Sequence, residues 1–320
     1  MPVTMAELAE KAGVSVATIS LVISDHPRIS PKTKDLVRKI MEELHYVPNS
    51  IARGLVNQSL RTIGVVMSLG PQQALRHPYV FEMLSGMESG LRAGGYQMLL
   101  HHWDVWNQSP RELVDLWEQK RVDGFLLQLT DPLRHHLEEW IKRQLPFVLI
   151  GDPGNDSPVD WVEADNRQAG ELAWTSVRQA GFQNPGFVGI QGDGIHQVRY
   201  EGFLAAAEKE GCHPPVYWAQ SSDSAQEIRR GTPTATDALV CGSHYLAVAL
   251  NDGQKGILTF DNLPYMEFLT PSLSTVDIDV FSLGQRAAEG LVRKLHDSEY
   301  KLQEKLELSR FIFRESLIRK

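Results

Sequence analysis

Four side chains stand at or just beyond the ends of apolar runs, and their types suit the binding of a small molecule. Tyr79 follows TIGVVMSL, Gln128 lies near the end of VDGFLLQLT, Asp152 ends PFVLIGD and Asp193 ends PGFVGIQGD. A phenol ring packs on a ligand face, while an amide and carboxylates exchange hydrogen bonds with it. Turn and cap roles are the bland alternative for each of the four. Catalytic chemistry has less to stand on. No G-x-S-x-G or HExxH motif is present, and Gly192-Asp193-Gly194 is a turn rather than a phosphate loop. His101-His102 and His135-His136 are adjacent pairs. Neighbours point to opposite faces of a strand, or about 100° apart on a helix, so neither pair grips a metal easily. Trp103, Trp106 and Trp218 fit plain packing as well as stacking on a sugar. The chain is read as a non-enzyme with no cofactor.

The elements that would position these residues alternate. From Thr62 the runs TIGVVMSL, YQMLLHHW, VDGFLLQLT and PFVLIGD are separated by VFEMLSGMESGLRAGG, SPRELVDLWEQKR and a helix over 132–144. A second series starts near Trp161 with WVEAD and continues through PGFVGIQGD, PVYWAQ, DALVCGS and GILTFD, again with helices between. Apolar runs of this length between helices imply parallel, doubly covered sheets. Two series imply two similar α/β lobes with a cleft between them. Ligands of open α/β sheets sit outside the carboxyl ends of the strands, which is where Tyr79, Gln128, Asp152 and Asp193 fall.

The first sixty residues follow another pattern. Thr4 and Glu7 have capping-box spacing, and Met5, Leu8, Ala9 and Ala12 form one stripe of a short helix that Gly13 can stop. Ser15 can cap a second helix reaching about Ser24. Ser30-Pro31 starts a third, with a stripe of Leu36, Val37, Ile40, Met41 and Leu44. Two short helices about a glycine-containing turn are the helix-turn-helix signature, and a generic three-helix packing unit is the alternative. The second helix has small side chains at 15–20, which allow close approach to a groove, but no arginine, glutamine or asparagine to read bases.

AELAEKAGVSVATIS (6–20) and RISPKTKDLVRKIMEELHYVPNSIARGL (28–55) together resemble the DNA-binding headpiece of the lactose-repressor/galactose-repressor (LacI/GalR) family. The resemblance implies that the second helix enters the major groove. Thr4, Ser15, Val16, Ala17, Thr18, Ser20, Leu21, Arg28 and Thr33 are then the candidates for base or phosphate contact. It also implies a hinge helix whose Asn49, Ala52 and Leu55 face the minor groove, Leu55 as the wedge that kinks the duplex. VRYEGFLAAAEKEG (198–211), FDN (260–262) and LSTVDIDVFSLGQRAAEGLV (273–292) are similar to the family's effector-binding core, which resembles periplasmic sugar-binding proteins. By that resemblance Arg199 donates to ligand hydroxyls or a carboxylate and Asp261 accepts from the ligand. The bland readings are a surface salt-bridge arginine and a turn aspartate.

Two departures stand out. Leu21 occupies a position where the family usually has an arginine, so the usual half-site is not expected; a leucine suits a thymine methyl instead. Gly242-Ser243 stands where the family often has Asn-Asp, which changes the polar set near the pocket.

The resulting expectation is an all-α helix-turn-helix headpiece (1–47), a hinge helix and linker (48–60), and a two-lobed α/β effector-binding and dimerisation core (61–320). Lobe 1 comprises about 61–158 and 281–306, and lobe 2 about 159–280 and 307–320. The partners expected are a double-stranded DNA operator, a sugar or similar small polar effector, and a second copy of the chain. The expected function is a ligand-responsive repressor, with a small-molecule binding protein whose headpiece no longer reads a defined operator as the alternative. Composition agrees with this. Charged residues are 22% and hydrophobic ones 42%, as in ordinary globular proteins. The net charge of −8 spares residues 1–60, where seven basic side chains meet six acidic ones. No apolar run nears the roughly 20 residues a bilayer requires, and no membrane partner is expected. The two cysteines and the lack of a basic-then-apolar leader point to the cytoplasm. No leucine heptad follows ELSRFIF, so a dimer is expected over a tail-mediated tetramer.

Overall fold

The computed structural model describes residues 3–23, 25–46, 59–67, 78–102, 109–154, 157–221, 224–307 and 309–319. The hinge candidates Asn49, Ala52 and Leu55 lie outside the described residues. No helix among the described residues is long and apolar enough to cross a membrane.

Local hydrogen bonding sets the headpiece helices. The Thr4 hydroxyl accepts from the Glu7 N–H at 3.3 Å while the Glu7 carboxylate accepts from the Thr4 N–H at 2.8 Å. This closes the capping box of α1 (Met5–Ala12). Gly13 ends the helix at φ +63°, a left-handed conformation that glycine adopts without a Cβ clash. Ser15 accepts from the Thr18 N–H at the start of α2 (Val16–Ile23), and Ser30 from the Thr33 N–H at the start of α3 (Pro31–Glu43). Leu8, Ala9, Ala12, Ile19, Val22, Val37 and Ile40 form one buried cluster. Leu36, expected in that stripe, is 47% exposed. It sits one residue off the face that Val37, Ile40, Met41 and Leu44 share at i, i+3, i+4 and i+7. Asp25 ties the α2–α3 connection to α3, with Lys34 Nζ at 2.9 Å and Arg38 Nη2 at 3.0 Å.

Among the described residues, the rest of the chain builds two six-stranded sheets. The first contains β1 (Thr62–Met67), β2 (Gln97–His102), β3 (Gly124–Gln128), β4 (Phe147–Ile150), β5 (Asp160–Ala164) and β11 (Gln303–Leu306). Its order is β11-β5-β4-β3-β1-β2, and every pair is parallel. The second contains β6 (Pro185–Ile190), β7 (Val216–Ala219), β8 (Ala238–Cys241), β9 (Gly256–Phe260), β10 (Ser274–Ile278) and β12 (Ser309–Ile312). Its order is β12-β10-β9-β8-β6-β7, with only the β10–β12 pair antiparallel. Both sheets bury their middle strands: β4, β8, β9 and β10 have no exposed residue, as expected of parallel strands covered on both faces.

The chain enters the second lobe later than its sequence suggests. WVEAD, assigned to lobe 2 with a boundary at 158/159, is the body of β5, which pairs with β4 and β11 in the first sheet. The crossing comes after Ala164, where the Asp165 carboxylate caps the helix that begins the second lobe. The loop 151–159, rich in Gly and Pro, looks like a domain boundary in sequence, yet it merely connects β4 to its neighbour. The chain returns at Asp279 and crosses once more between β11 and β12.

Helices clothe the sheets. They are α4 (Pro78–Ala93), α5 (Arg111–Glu118), α6 (Asp131–Arg134), α7 (Leu137–Lys142), α8 (Asn166–Gln179), α9 (Gly194–Lys209), α10 (Ala225–Gly231), α11 (His244–Leu250) and α12 (Val280–His296). The single helix expected over 132–144 is interrupted at His135-His136, where the Arg134 side chain turns to the Asp152 and Pro153 carbonyls. Two helix pairs cross almost backbone to backbone. A Cβ on Gly86 would meet the Phe281 carbonyl of α12 at 1.9 Å, and one on Gly170 of α8 would meet the Arg199 carbonyl of α9 at 2.0 Å. One apolar cluster runs from Val65 and Met83 of the first lobe to Phe203 and Phe260 of the second, so the lobes share a core.

Candidate functional site

A cavity of about 580 Å³ opens between the lobes, a size suited to a small organic ligand. The first lobe contributes the carboxyl ends of β3, β4 and β5, with Gln128, Thr130, Asp152 and Glu163, together with Tyr79, Arg134 and Lys305. The second contributes Asn166, the Gly192–Gly194 turn and the first turns of α9, with Asp193, Val198 and Arg199. Tyr79, Gln128, Asp152, Asp193 and Arg199, scattered over 121 residues of sequence, therefore line one space. Tyr79 is in the first turn of α4 rather than in a loop, because the helix starts at Pro78, a residue whose fixed φ suits a first helical position.

Arg199 is buried, with only 6% of its surface exposed, and its guanidinium is hydrogen-bonded through Nε and Nη1 and faces a carboxylate at Nη2. Nε donates to Asn166 Oδ1 at 3.0 Å, Nη1 donates to the Gly242 carbonyl at 2.8 Å, and Nη2 lies 3.6 Å from Asp261 Oδ1. The Phe260 ring lies beneath, 4.4 Å from the guanidinium carbon. Arg199 is thus not a surface salt-bridge arginine; it lines the cavity with Nη2 outside hydrogen-bond distance of Asp261. Asp261 is not among the residues that line the cavity. At φ +67° it turns away from the end of β9 and sets its carboxylate against Arg199.

Asp193 caps α9, its Oδ1 accepting from the Ile195 and His196 N–H groups at 2.9 and 3.0 Å. The His196 ring is buried, and its Nδ1 accepts from the Ile190 N–H at 3.0 Å. That bond places the ring proton on Nε2. Burial pulls the imidazole below its usual range, so the ring is neutral. The same ring explains the Gly242 departure: a Cβ there would stand 2.8 Å from it. What this position offers instead is its carbonyl, which Arg199 takes.

Glu163, Asn166, Thr130, Arg134 and Lys305 line the cavity and escape the sequence reading. Glu163 alternates with buried Val162 and Ala164 on β5, and Asn166 starts the helix after it. Both were legible as strand-end residues once β5 is placed in the first sheet. Burial, and then the nearby Asp152 carboxylate, push the Glu163 carboxyl above its usual range. The Tyr79 hydroxyl is likewise held protonated by burial, with Asp261 reinforcing it. Gln128 Oε1 and Thr130 Oγ1 are buried without a hydrogen-bond partner among the described residues.

On the headpiece, Ser15, Val16 and Ala17 are exposed side by side at the start of α2, while Thr18, Ser20 and Leu21 are half-buried. Thr4 and Arg28 are exposed and Thr33 is half-buried. The Thr4, Ser15 and Thr33 hydroxyls are engaged in helix-start hydrogen bonds, so they contribute first to holding the headpiece helices.

Residues 4–49 match the family model described as bacterial regulatory proteins, lacI family, and residues 176–317 match a periplasmic binding protein-like domain. The HTH-type transcriptional repressor PurR of Pectobacterium atrosepticum is 28% identical, with 91% of this chain and 90% of that protein covered. Catabolite control protein A of Priestia megaterium is 26% identical, with 92% and 93% covered. Among solved structures, the lac repressor dimer bound to operator and the anti-inducer ONPF superposes over both whole chains with a TM-score of 0.80 at 18% identity. A transcriptional regulator CelR–cellobiose complex gives 0.68 at 23%, covering 98% of this chain and 99% of that one. These two likenesses establish the same helical headpiece and two-lobed body. With a helix-turn-helix unit on a periplasmic-binding-protein-like core, the chain belongs to the lacI family of bacterial regulatory proteins, DNA-binding regulators of transcription.

Proposed function

We propose that this regulator is a cytoplasmic repressor that binds a near-palindromic operator as a homodimer and responds to a sugar or similar small polar effector held between its lobes. The observation that carries the reading is the interlobe cavity, where Tyr79, Gln128, Asp152, Asp193 and Arg199 converge from both lobes. A ligand touching both walls favours one arrangement of the lobes over another, and its leverage on DNA binding equals that difference in affinity. The described headpiece supplies Val16, Ala17, Leu21 and Arg28 for major-groove or phosphate contact. Asn49, Ala52 and Leu55 complete the proposal as hinge residues in the minor groove.

Selection from fragmented DNA of the source genome tests this reading. The expected outcome is a two-fold symmetric site with half-sites about 10 base pairs apart or a multiple of that, and with thymines facing the apolar start of α2. A second reading, a small-molecule binding protein whose headpiece reads no defined operator, is favoured by the same apolar start. Retention of DNA without a shared sequence, or no retention with and without small polar ligands, would move the assignment to it.

The dimer has its own support. Tyr245, Val248, Tyr265 and Phe268 leave an apolar surface on the second lobe, Phe268 being 78% exposed. Patches of this kind mark association surfaces. The paired substitution Tyr245→Asp and Phe268→Asp is expected to leave the body folded and monomeric by sedimentation. Losing the second headpiece should weaken operator binding by about a hundredfold or more. Dimers that survive both changes place the interface elsewhere.

A further inference from the structure

Three cations line the cavity among the described residues, and each has a partner in the protein. Arg199 is engaged by Asn166, Gly242 and Asp261. Arg134 donates to the carbonyls of Asp152 and Pro153 at 3.0 and 2.8 Å. Lys305 Nζ lies 3.0 Å from Asp152 Oδ2. Of the carboxylates, Asp152 is satisfied, since its other oxygen accepts from the Gly154 N–H at 2.8 Å.

Glu163 differs. Its side-chain hydrogen-bond partner is the Asn166 amide, at 3.3 Å. No cation is in ion-pair contact with it among the described residues. Asp193 commits Oδ1 to the start of α9, while Oδ2 lies 3.9 Å from the neutral His196 ring. Gln128 Oε1 has no partner among the described residues. The unfilled capacity of the wall is therefore rich in acceptors drawn from both lobes, with the Thr130 hydroxyl and Arg199 Nη2 beside them.

We infer that the ligand of this cavity carries a cationic nitrogen together with hydroxyl groups, as an aminated sugar or polyol does, and that Glu163 receives the ammonium. The inference rests on the cavity being the effector site. An anionic ligand would meet Glu163 and Asp193, while Arg134, Arg199 and Lys305 each already have a partner in the protein. A neutral polyol satisfies Gln128 and Asp193 but leaves half-buried Glu163 with Lys305 as a counter-charge beyond ion-pair distance, an incomplete compensation in a low-dielectric setting. Burial, and then the Asp152 carboxylate, raise the Glu163 carboxyl above its usual range although Lys305 acts to lower it. An ammonium completes the compensation, with a charge-assisted hydrogen bond in place of repulsion.

Calorimetric titration of the full chain near neutral pH tests this, with glucose, glucosamine and glucose 6-phosphate and the corresponding three compounds on the galactose skeleton. The aminated member of a set is expected to bind at least about tenfold tighter than its neutral parent, and the phosphorylated member not at all. Glu163→Gln is expected to bring the aminated and neutral compounds within about threefold of one another. Gln128→Ala should weaken both and keep their ratio. A neutral or phosphorylated compound that binds as tightly as its aminated counterpart overturns the inference and leaves the effector site standing. So does a Glu163→Gln protein that keeps the preference. If Glu163→Gln does not fold, the ranking on the unaltered chain decides alone. Absence of binding by all six at millimolar concentration overturns both the inference and the site reading beneath it.

Discussion

Arg199→Met is expected to lower the stability of the body by about 3 kcal/mol or more and to abolish ligand binding in the interlobe cavity. The reasoning starts from the Asp261 carboxylate, whose side chain is only 14% exposed and whose ion-pair partner is Arg199 at 3.6 Å. Methionine fills the volume but leaves that charge buried and alone, and also strands Asn166 Oδ1 and the Gly242 carbonyl. A loss of this size lowers Tm by roughly 6–12 °C in a protein of this length. The charge accounting supplies its own control. Asp261→Asn in the Arg199→Met background should recover a large part of the loss, because the surviving partner is then neutral. Thermal unfolding of the two variants reads the difference. Equal stabilities would mean that solvent, rather than Arg199, carries the Asp261 charge.

Gly170→Ala is expected to be nearly as damaging, although it adds one methyl group. The new Cβ would lie 2.0 Å from the Arg199 carbonyl and 2.9 Å from the Phe203 N. Both are backbone atoms of α9, so relief requires moving the helix. Overpacking of this kind costs about 2–3 kcal/mol. The functional effect is expected to exceed the loss of stability, since α9 carries Asp193 at its cap and Val198 and Arg199 in its first turns. Ligand affinity should therefore fall even at temperatures where the variant is fully folded. Gly231→Ala is the comparison. No atom lies within 4 Å of a Cβ there and its φ is not positive, so melting should change by less than about 0.5 kcal/mol. Calorimetry and melting of the pair separate helix displacement from the general effect of replacing a glycine.

The parts legible in the sequence were those fixed by near neighbours. Thr4 with Glu7, Ser15 with Thr18 and Ser30 with Thr33 each close within three residues, and the headpiece helices start where those pairs predict. Gln128, Asp152 and Asp193 were legible because strand ends are visible as ends of apolar runs. What the sequence hid depends on distant partners. β5 reads as the first strand of a new lobe because nothing local says that Val148 and Gln303 pair with it. Misplacing β5 concealed Glu163 and Asn166, which face the cavity only because β5 lies in the first sheet. Arg199 and Asp261 were both expected to meet the ligand; their chemistry was foreseen but not their mutual contact, which the φ of Asp261 brings about.

The three crossings between the lobes also bear on how the protein is made. β11 forms the edge of the first sheet and β12 the edge of the second, and α12 covers the first from a position after residue 279. An emerging nascent chain can finish α1 to α3 at once, because their contacts are local. Neither lobe can close until residues 303–312 have left the ribosome exit tunnel, since each lacks an edge strand until then. Through most of synthesis the body thus exposes unpaired sheet edges, while the headpiece is already folded. A message cut short after Asp279 would release a competent DNA-reading unit on a body that cannot assemble. Faulty termination in this gene would then yield a folded headpiece without a body able to answer a ligand.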